Sequence, residues 1–302
     1  MKKFVILTDS CSELPLELRK EFDVDYVPMH FSCEDKEYVA DLDYKEISAK
    51  DFYNLMRDGK RVITAQANTA QYLEIFERYI NEGYDILSIS CSSALSASVK
   101  ASYAAREELL SRYPDAKIIC IDSLVSSIGE GMLTVKASML RAEGKSIDEV
   151  AEWIESNKLR FNQNGCPDKL IYLKQAGRVS AASAFFGGLL NIKPLIISDV
   201  KGRNVAVEKI KGKKAAFNRI ADLIAEEYED SDIPLGIAHA DCDEEAKEFL
   251  AIILEKLAAK GVDTDKLRTL YTYIGPIVGA SVGPGTLIAY CFGKEVTYDA
   301  EG

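Results

Sequence analysis

The sequence predicts an α/β protein in two domains, an N-terminal doubly wound, mainly parallel sheet and a C-terminal α/β domain with a mixed sheet. Three observations predict it. The short apolar runs KFVILT, YDILSIS and AKIICID each lead into serine or aspartate, as buried strands do at their carboxyl ends. Helix-period segments stand between them. In the second half, DVKGRN separates two strand-like runs and signals a hairpin, so strand directions mix there.

The elements follow in order. The run from Phe4 to Leu7 is too short for the apolar region of a signal peptide, and Asp9 follows almost at once, so it opens the chain as a buried strand. From Thr69 to Ile80, a helix places Tyr72, Leu73, Phe76, Tyr79 and Ile80 on one face, with Asn68 as its N-cap. Ala94 to Tyr113 and Ser127 to Arg141 also read as helices, and strand-helix-strand alternation implies a parallel sheet covered on both faces. SNKLRFNQNGCPD is polar and carries Gly165 and Pro167, which places the domain boundary there: 1–162 and 163–302. Beyond it, KLIYLK, IKPLIIS, NVAVEKI and IPLGIAHA read as strands, Gly212 to Tyr228 and Glu244 to Ala259 as helices, and LRTLYTYI and TLIAYCFG as closing strands.

Composition narrows the function. Hydrophobic residues at 47% and charged residues at 28% are the mix of a soluble globular chain. A net charge of −11 argues against nucleic acid or an anionic membrane as partner, and no stretch approaches a membrane span. The seven cysteines form no C-x-x-C pair and their number is odd, which points to reduced thiols in a cytoplasm. With two histidines far apart, the spacing provides no metal site.

Gly279-Ala280-Ser281-Val282-Gly283 fits the G-x-S-x-G pattern of a nucleophile elbow. An elbow needs a following helix, whereas Pro284-Gly285 and a β-rich run follow here, and both histidines lie upstream. Gly144-Lys145-Ser146 lacks the first glycine of a phosphate loop, and TDSCSELP lacks the dinucleotide fingerprint. What remains is a concentration of hydroxyls. SISCSSALSAS carries Ser93 and Ser96 where a strand meets a helix, a junction whose free N–H groups suit an anion. Thr64 and Ser123 are expected on the same rim. The stretch QAGRVSAASAFFGGLLNIKPLII begins polar, with Arg178, and turns strongly apolar around Gly187-Gly188. An apolar channel beside an anion-holding rim suits a carboxylate with a long hydrocarbon tail.

Taken together, ILTDSCSELP, TAQAN, SALSAS, IDSLVSSIGEG, LKQAGRVSAASAFFGGLLNIKPLI and IGPIVGASVGPG resemble, in order, the signature blocks of the DegV family, bacterial proteins that bind fatty acids and supply them to a fatty acid kinase. Thr64 and Gln66 match the family's Thr-Ser-Gln-Pro-Ser stretch, while Ala65, Ala67 and Asn68 depart from it. Leu95 and Ser96 match its Leu-Ser-Gly-Thr element, with Ala97 and Ser98 departing. Ser281 stands where the family usually carries a histidine. The resemblance implies one acyl chain buried between two α/β domains, with its carboxylate on Thr64 and Ser96, joined by Ser93 and Ser281. It also implies a Gly-rich loop at the headgroup (Gly279, Ala280, Gly283) and an acyl-chain lining of Phe185, Phe186, Gly188, Leu189 and Ile192. Arg178 and Lys211 are candidate phosphate or partner contacts.

The expectation is therefore a cytoplasmic carrier and not an enzyme. It holds a long-chain fatty acid for a fatty acid kinase, with no metal and no cofactor beyond that ligand. The rivals are a serine hydrolase using Ser281 or Ser96 and a regulatory protein that binds a small anion or nucleotide.

Overall fold

The computed structural model describes residues 3–180 and 191–301. The first half runs β1 (Phe4–Asp9), α1 (Leu16–Glu21), β2 (Val24–Val27), β3 (Met29–Cys33), β4 (Lys36–Ala40), α2 (Ala49–Arg57), β5 (Val62–Ala65), α3 (Thr69–Asn81), β6 (Asp85–Ser90), α4 (Ser98–Arg112), β7 (Ile118–Asp122), α5 (Ile128–Ala142) and α6 (Ile147–Asn157). The second half runs β8 (Phe161–Cys166), α7 (Leu170–Ala176), β9 (Val179–Ser180), β10 (Ile192–Ser198), β11 (Asn204–Lys211), α8 (Lys213–Glu227), β12 (Leu235–His239), α9 (Asp243–Ala259), β13 (Thr269–Tyr273), α10 (Pro276–Val282) and β14 (Leu287–Phe292).

The predicted class is what the chain adopts. A four-stranded parallel sheet, β2-β1-β6-β7, carries the N-terminal half. Its central strands β1 and β6 are buried along their whole length, as strands covered on both faces must be. A seven-stranded mixed sheet, β13-β12-β14-β8-β10-β11-β9, carries the C-terminal half, with β10 and β11 antiparallel across the expected hairpin. A small sheet, β4-β3-β5, stands beside them. Helix α3 has its capping box: Gln71 N–H donates to the Asn68 side chain at 3.0 Å, and Asn68 N–H donates to Gln71 Oε1 at 2.8 Å. Tyr72 and Phe76 are its buried ridge.

Helix α5 packs against β1 and β6 on one side and against β8, β12 and β13 on the other. It is buried on nearly every face, the signature of a helix between two sheets rather than on a surface. Close approach requires its glycine: a Cβ at Gly129 would lie 2.7 Å from the Tyr290 ring. Helix α6 joins it in this layer through Trp153, stacked on Phe292 of β14 at 6.1 Å between centroids. Helices α8 and α9 close the far face of the mixed sheet around Phe217, Phe249 and Ile253.

Three local expectations are corrected. The polar stretch at the assigned 162/163 boundary is β8, a fully buried strand between β14 and β10, so the boundary falls inside a strand. Its polar side chains are partnered: Gln163 Nε2 donates to Asn204 Oδ1 (2.8 Å), Tyr290 Oη donates to Gln163 Oε1 (3.2 Å), and Asn164 Nδ2 donates to Glu227 Oε2 (2.6 Å). Such satisfaction is what lets polar residues occupy a sheet centre. KLIYLK is not a strand but most of α7, which Gly177 ends in the left-handed conformation (φ 65°) by donating to the Leu173 carbonyl. Helix α4 begins at Ser98 rather than Ala94, because Ser92 and Ser96 fold the intervening residues into a turn.

Candidate ligand-binding site

The carboxyl ends of β1 and β6 open onto a cleft of about 650 Å³. Aspartates hold the loops at this rim. Asp9, at the end of β1, accepts from Cys11 N–H (2.9 Å) and Cys91 N–H (3.0 Å), while Asp122, at the end of β7, accepts from Ser93 N–H (3.1 Å) and Leu124 N–H (3.2 Å). Burial raises Asp9 to about 6 against these bonds, and it drives Glu13 well above the usual carboxylate range. Glu13 ties the first turn to the opposite wall, accepting from Gly275 N–H at 2.5 Å just before α10.

Four sequence-derived hydroxyls meet in this cleft: Thr64, from β5, Ser93 and Ser96, from the β6–α4 turn, and Ser281, from α10. Ser96 Oγ accepts from Ser98 N–H (3.2 Å) and pairs with Ser98 Oγ (2.9 Å), which itself accepts from Ala67 N–H (3.2 Å). Asn68, read from the sequence only as a helix cap, adds a further polar group, as do Asn204 and Ser126, which sequence reasoning did not single out; Asn204 enters through the hairpin, far from the serine cluster in the chain. Leu95, Val179, Ile277, Val278 and Val282 supply apolar wall. Among the described lining residues, Arg178 is the one charged side chain. Thr64, Arg178, Ala280 and Ser281 also border an adjoining hollow with Lys60 and Arg61, so the hydroxyl end of the cleft lies beside a basic mouth.

Other expected residues fall elsewhere. Gly279 and Ala280 lie within α10 and Gly283 caps it (φ 79°), so the expected Gly-rich loop is a helix with its C-cap. Pro276 at the first helical position and Gly283 just past the end are the signals that explain it. Gly283 is obligatory, since a Cβ there would fall into the Tyr172 ring. Lys211 is exposed at the end of β11 opposite Asn204, and neither it nor Ile192 lines the cleft. Ser123 is buried, donating to Val125 O (2.9 Å), and does not line the cleft. Phe185, Phe186, Gly188 and Leu189 lie outside the described residues.

The nucleophile reading of Ser281 finds no geometry. It sits in the last turn of a helix, not between strand and helix. His239 accepts from Cys242 N–H (3.4 Å) and lies against Tyr273, with burial lowering its pKa; His30 lies 3.3 Å from Gln71 Nε2. Among the described residues neither ring lines the cleft. No helix among them is long and apolar enough to cross a membrane.

Fold and site together define a class: a two-domain α/β protein with a hydroxyl-rimmed, partly apolar cleft at the carboxyl edge of its parallel sheet. The chain belongs to the DegV family, whose model, described as "Uncharacterised protein, DegV family", matches residues 3–294. A DegV domain-containing protein of Clostridium perfringens is 36% identical over 97% of this chain and 98% of its own. Among solved structures, a DegV family protein from Thermus thermophilus, described by its fatty acid binding, superposes with a TM-score of 0.83 at 26% identity, covering 97% of this chain and 100% of its own. DegV from Bacillus subtilis, described as a fatty acid binding protein, gives 0.79 at 27%, with coverage of 97% and 100%.

Proposed function

We propose that the protein binds a long-chain fatty acid and, as a cytoplasmic carrier, presents its head to a fatty acid kinase. One observation carries the reading: hydroxyls from three separate elements converge on a cleft that also has an aliphatic wall of Leu95, Val179, Ile277, Val278 and Val282. Thr64, Ser96, Ser93 and Ser281 would hold the carboxylate through neutral donors. If Ser98 donates to Ser96, the Ser96 hydroxyl hydrogen is left to point at the ligand. Burying the tail supplies most of the affinity, at about 0.8 kcal/mol per methylene, and the hydroxyls set the direction of insertion. The two fatty-acid-binding relatives support the ligand class. The adjoining hollow with Arg61, Arg178 and Lys60, the last paired with Glu34, supports delivery, since cations beside the hydroxyls would suit a phosphorylated head. Free thiols at all seven cysteines suit a reducing cytoplasm.

The test is mass spectrometry of an organic extract from denatured protein, followed by uptake of added fatty acid. A stoichiometric acyl species is expected; finding neither bound lipid nor uptake refutes the reading. The Thr64→Ala/Ser96→Ala variant is expected to lose about 1.5–3 kcal/mol of affinity per carboxylate hydrogen bond removed. For the carrier role, ATP-dependent acyl phosphate formation with the kinase is expected from the loaded protein. Its absence would remove that role and leave binding intact.

A further inference from the structure

Below the hydroxyl rim, the ends of two neighbouring strands bring together residues that are far apart in sequence. Cys11 follows β1, Cys91 follows β6, and Glu130 lies in the first turn of α5. The two Sγ atoms and a Glu130 carboxylate oxygen all lie within 4.8 Å of one another. All three residues are buried: Cys11 and Cys91 are 2% exposed and Glu130 is 0% exposed.

The surroundings are those of a built site. The Asp9 carboxylate grips the backbone N–H of both cysteines and sets the thiols side by side. Thr8 Oγ1 (2.6 Å) and Asp9 N–H (3.3 Å) both donate to Glu130 Oε1, fixing the carboxylate from one side. Its other oxygen, Oε2, is buried with no hydrogen-bond partner. Ionised, a fully buried carboxylate oxygen without a donor is costly.

We propose that Cys11, Cys91 and Glu130 form a binding site for a thiophilic divalent cation, of the Zn²⁺ class, whose fourth position opens to the cleft. Two thiolates and a carboxylate are a donor set for such an ion, which ligates sulfur at about 2.3 Å and oxygen at about 2.0–2.2 Å. Bringing the sulfurs to the ~3.8 Å that tetrahedral ligation implies takes about an ångström of side-chain motion at most. The dication offsets two of the three ligand charges, and the N-terminal end of α5 adds its positive dipole. Cys11 and Cys91 line the cleft, as does Met29, whose Sδ lies 3.8 Å from Cys11 Sγ, whereas Glu130 lies behind them. The open position therefore faces the cleft, where water or an anionic group can take it. The site does not depend on a fatty acid being the occupant.

The experiment uses the full chain, reduced and stripped with chelator, titrated with Zn²⁺ and, in parallel, with Co²⁺. One equivalent is expected to bind, with release of about two thiol protons and a thiolate-to-cobalt charge-transfer band that Zn²⁺ displaces. Cys11→Ser and Cys91→Ser should each abolish the band and weaken Zn²⁺ binding by about a hundredfold or more, and Glu130→Gln by about tenfold or more. Cys242→Ser, at a half-buried thiol on another element, should bind as the parent does. If a serine variant does not fold, the cobalt band and proton count of the parent together with Glu130→Gln decide. Absence of stoichiometric binding by the reduced parent overturns the proposal, as does binding that survives in both folded serine variants. Recovery of Cys11 and Cys91 as a disulfide with no metal taken up by the reduced form overturns it as well.

Discussion

Glu227 ends α8 with its carboxyl against the buried strand β8, where Asn164 donates to it at 2.6 Å. Burial outweighs that bond and raises the group from an ordinary 4.5 to about 7. An acid held above its ordinary value binds its proton more tightly folded than unfolded, so the protein loses stability as pH rises from 4.5 to about 7 and levels off above that. At 1.36 kcal/mol per pKa unit, the whole effect is on the order of 3 kcal/mol, and about 2 kcal/mol of it falls between pH 5.5 and 8. Glu227→Gln keeps the shape and an acceptor for Asn164 but has nothing to ionise. Urea unfolding of parent and variant across that range is the assay, read as the difference in unfolding free energy, which cancels every other titrating group. The variant is expected to gain on the parent steadily up to about pH 7 and to hold its advantage beyond. A difference that stays flat with pH, or a parent that gains on the variant, would refute the argument that burial dominates this carboxyl.

Other outcomes follow from the same structure. Tyr53→Phe removes a buried hydroxyl that donates to Ile274 O at 2.6 Å, and should lower stability by about 1–2 kcal/mol in chemical denaturation. Gly279→Ala would set a Cβ 2.6 Å from that same hydroxyl, so the Tyr53→Phe/Gly279→Ala pair should be less destabilised than the sum of its singles; strict additivity would contradict this. Gly283→Ala, at φ 79° and against the Tyr172 ring, should lose about 1–3 kcal/mol and loosen the α10 wall, visible as a lower melting temperature and weaker fatty acid uptake. Arg178→Ala should weaken fatty acid binding, while Lys211→Ala, at the far end of β11, should not.

The parallel half was legible because β1, β6 and β7 are continuous apolar runs and α3 announces its start with Asn68 and Gln71. Strand β8 was not, because FNQNGC has the composition of a linker and becomes a strand only when Asn204, Tyr290 and Glu227 arrive to satisfy it. The seven-residue α7 holds two turns, too few for a helical period to stand out from a β-like apolar run. At the cleft, the serine cluster was visible as a local density of hydroxyls, and Ser281 through its motif. Asn204 and Ser126 were not, since nothing in their neighbourhoods marks a binding role. The pairing of Cys11 with Cys91 escaped a reading by spacing because it is made by strand adjacency, β1 beside β6, and not by proximity in the chain.

Helix α5 has a mechanical meaning beyond packing. Met132, Val135 and Ile128 share a core with Ile6 and Leu7 of the parallel sheet and with Ile288 and Tyr290 of the mixed one, while the far face of the mixed sheet keeps a second core under α8 and α9. A chain cut after α6 would leave the side of α5 that packs on β8, β12 and β13 facing water. The shared core couples the two halves through α5, and the cleft is bordered at its edge by the short elements β9 and α10. A ligand in the cleft would lie against these short elements on one side and against the aspartate-held rim on the other.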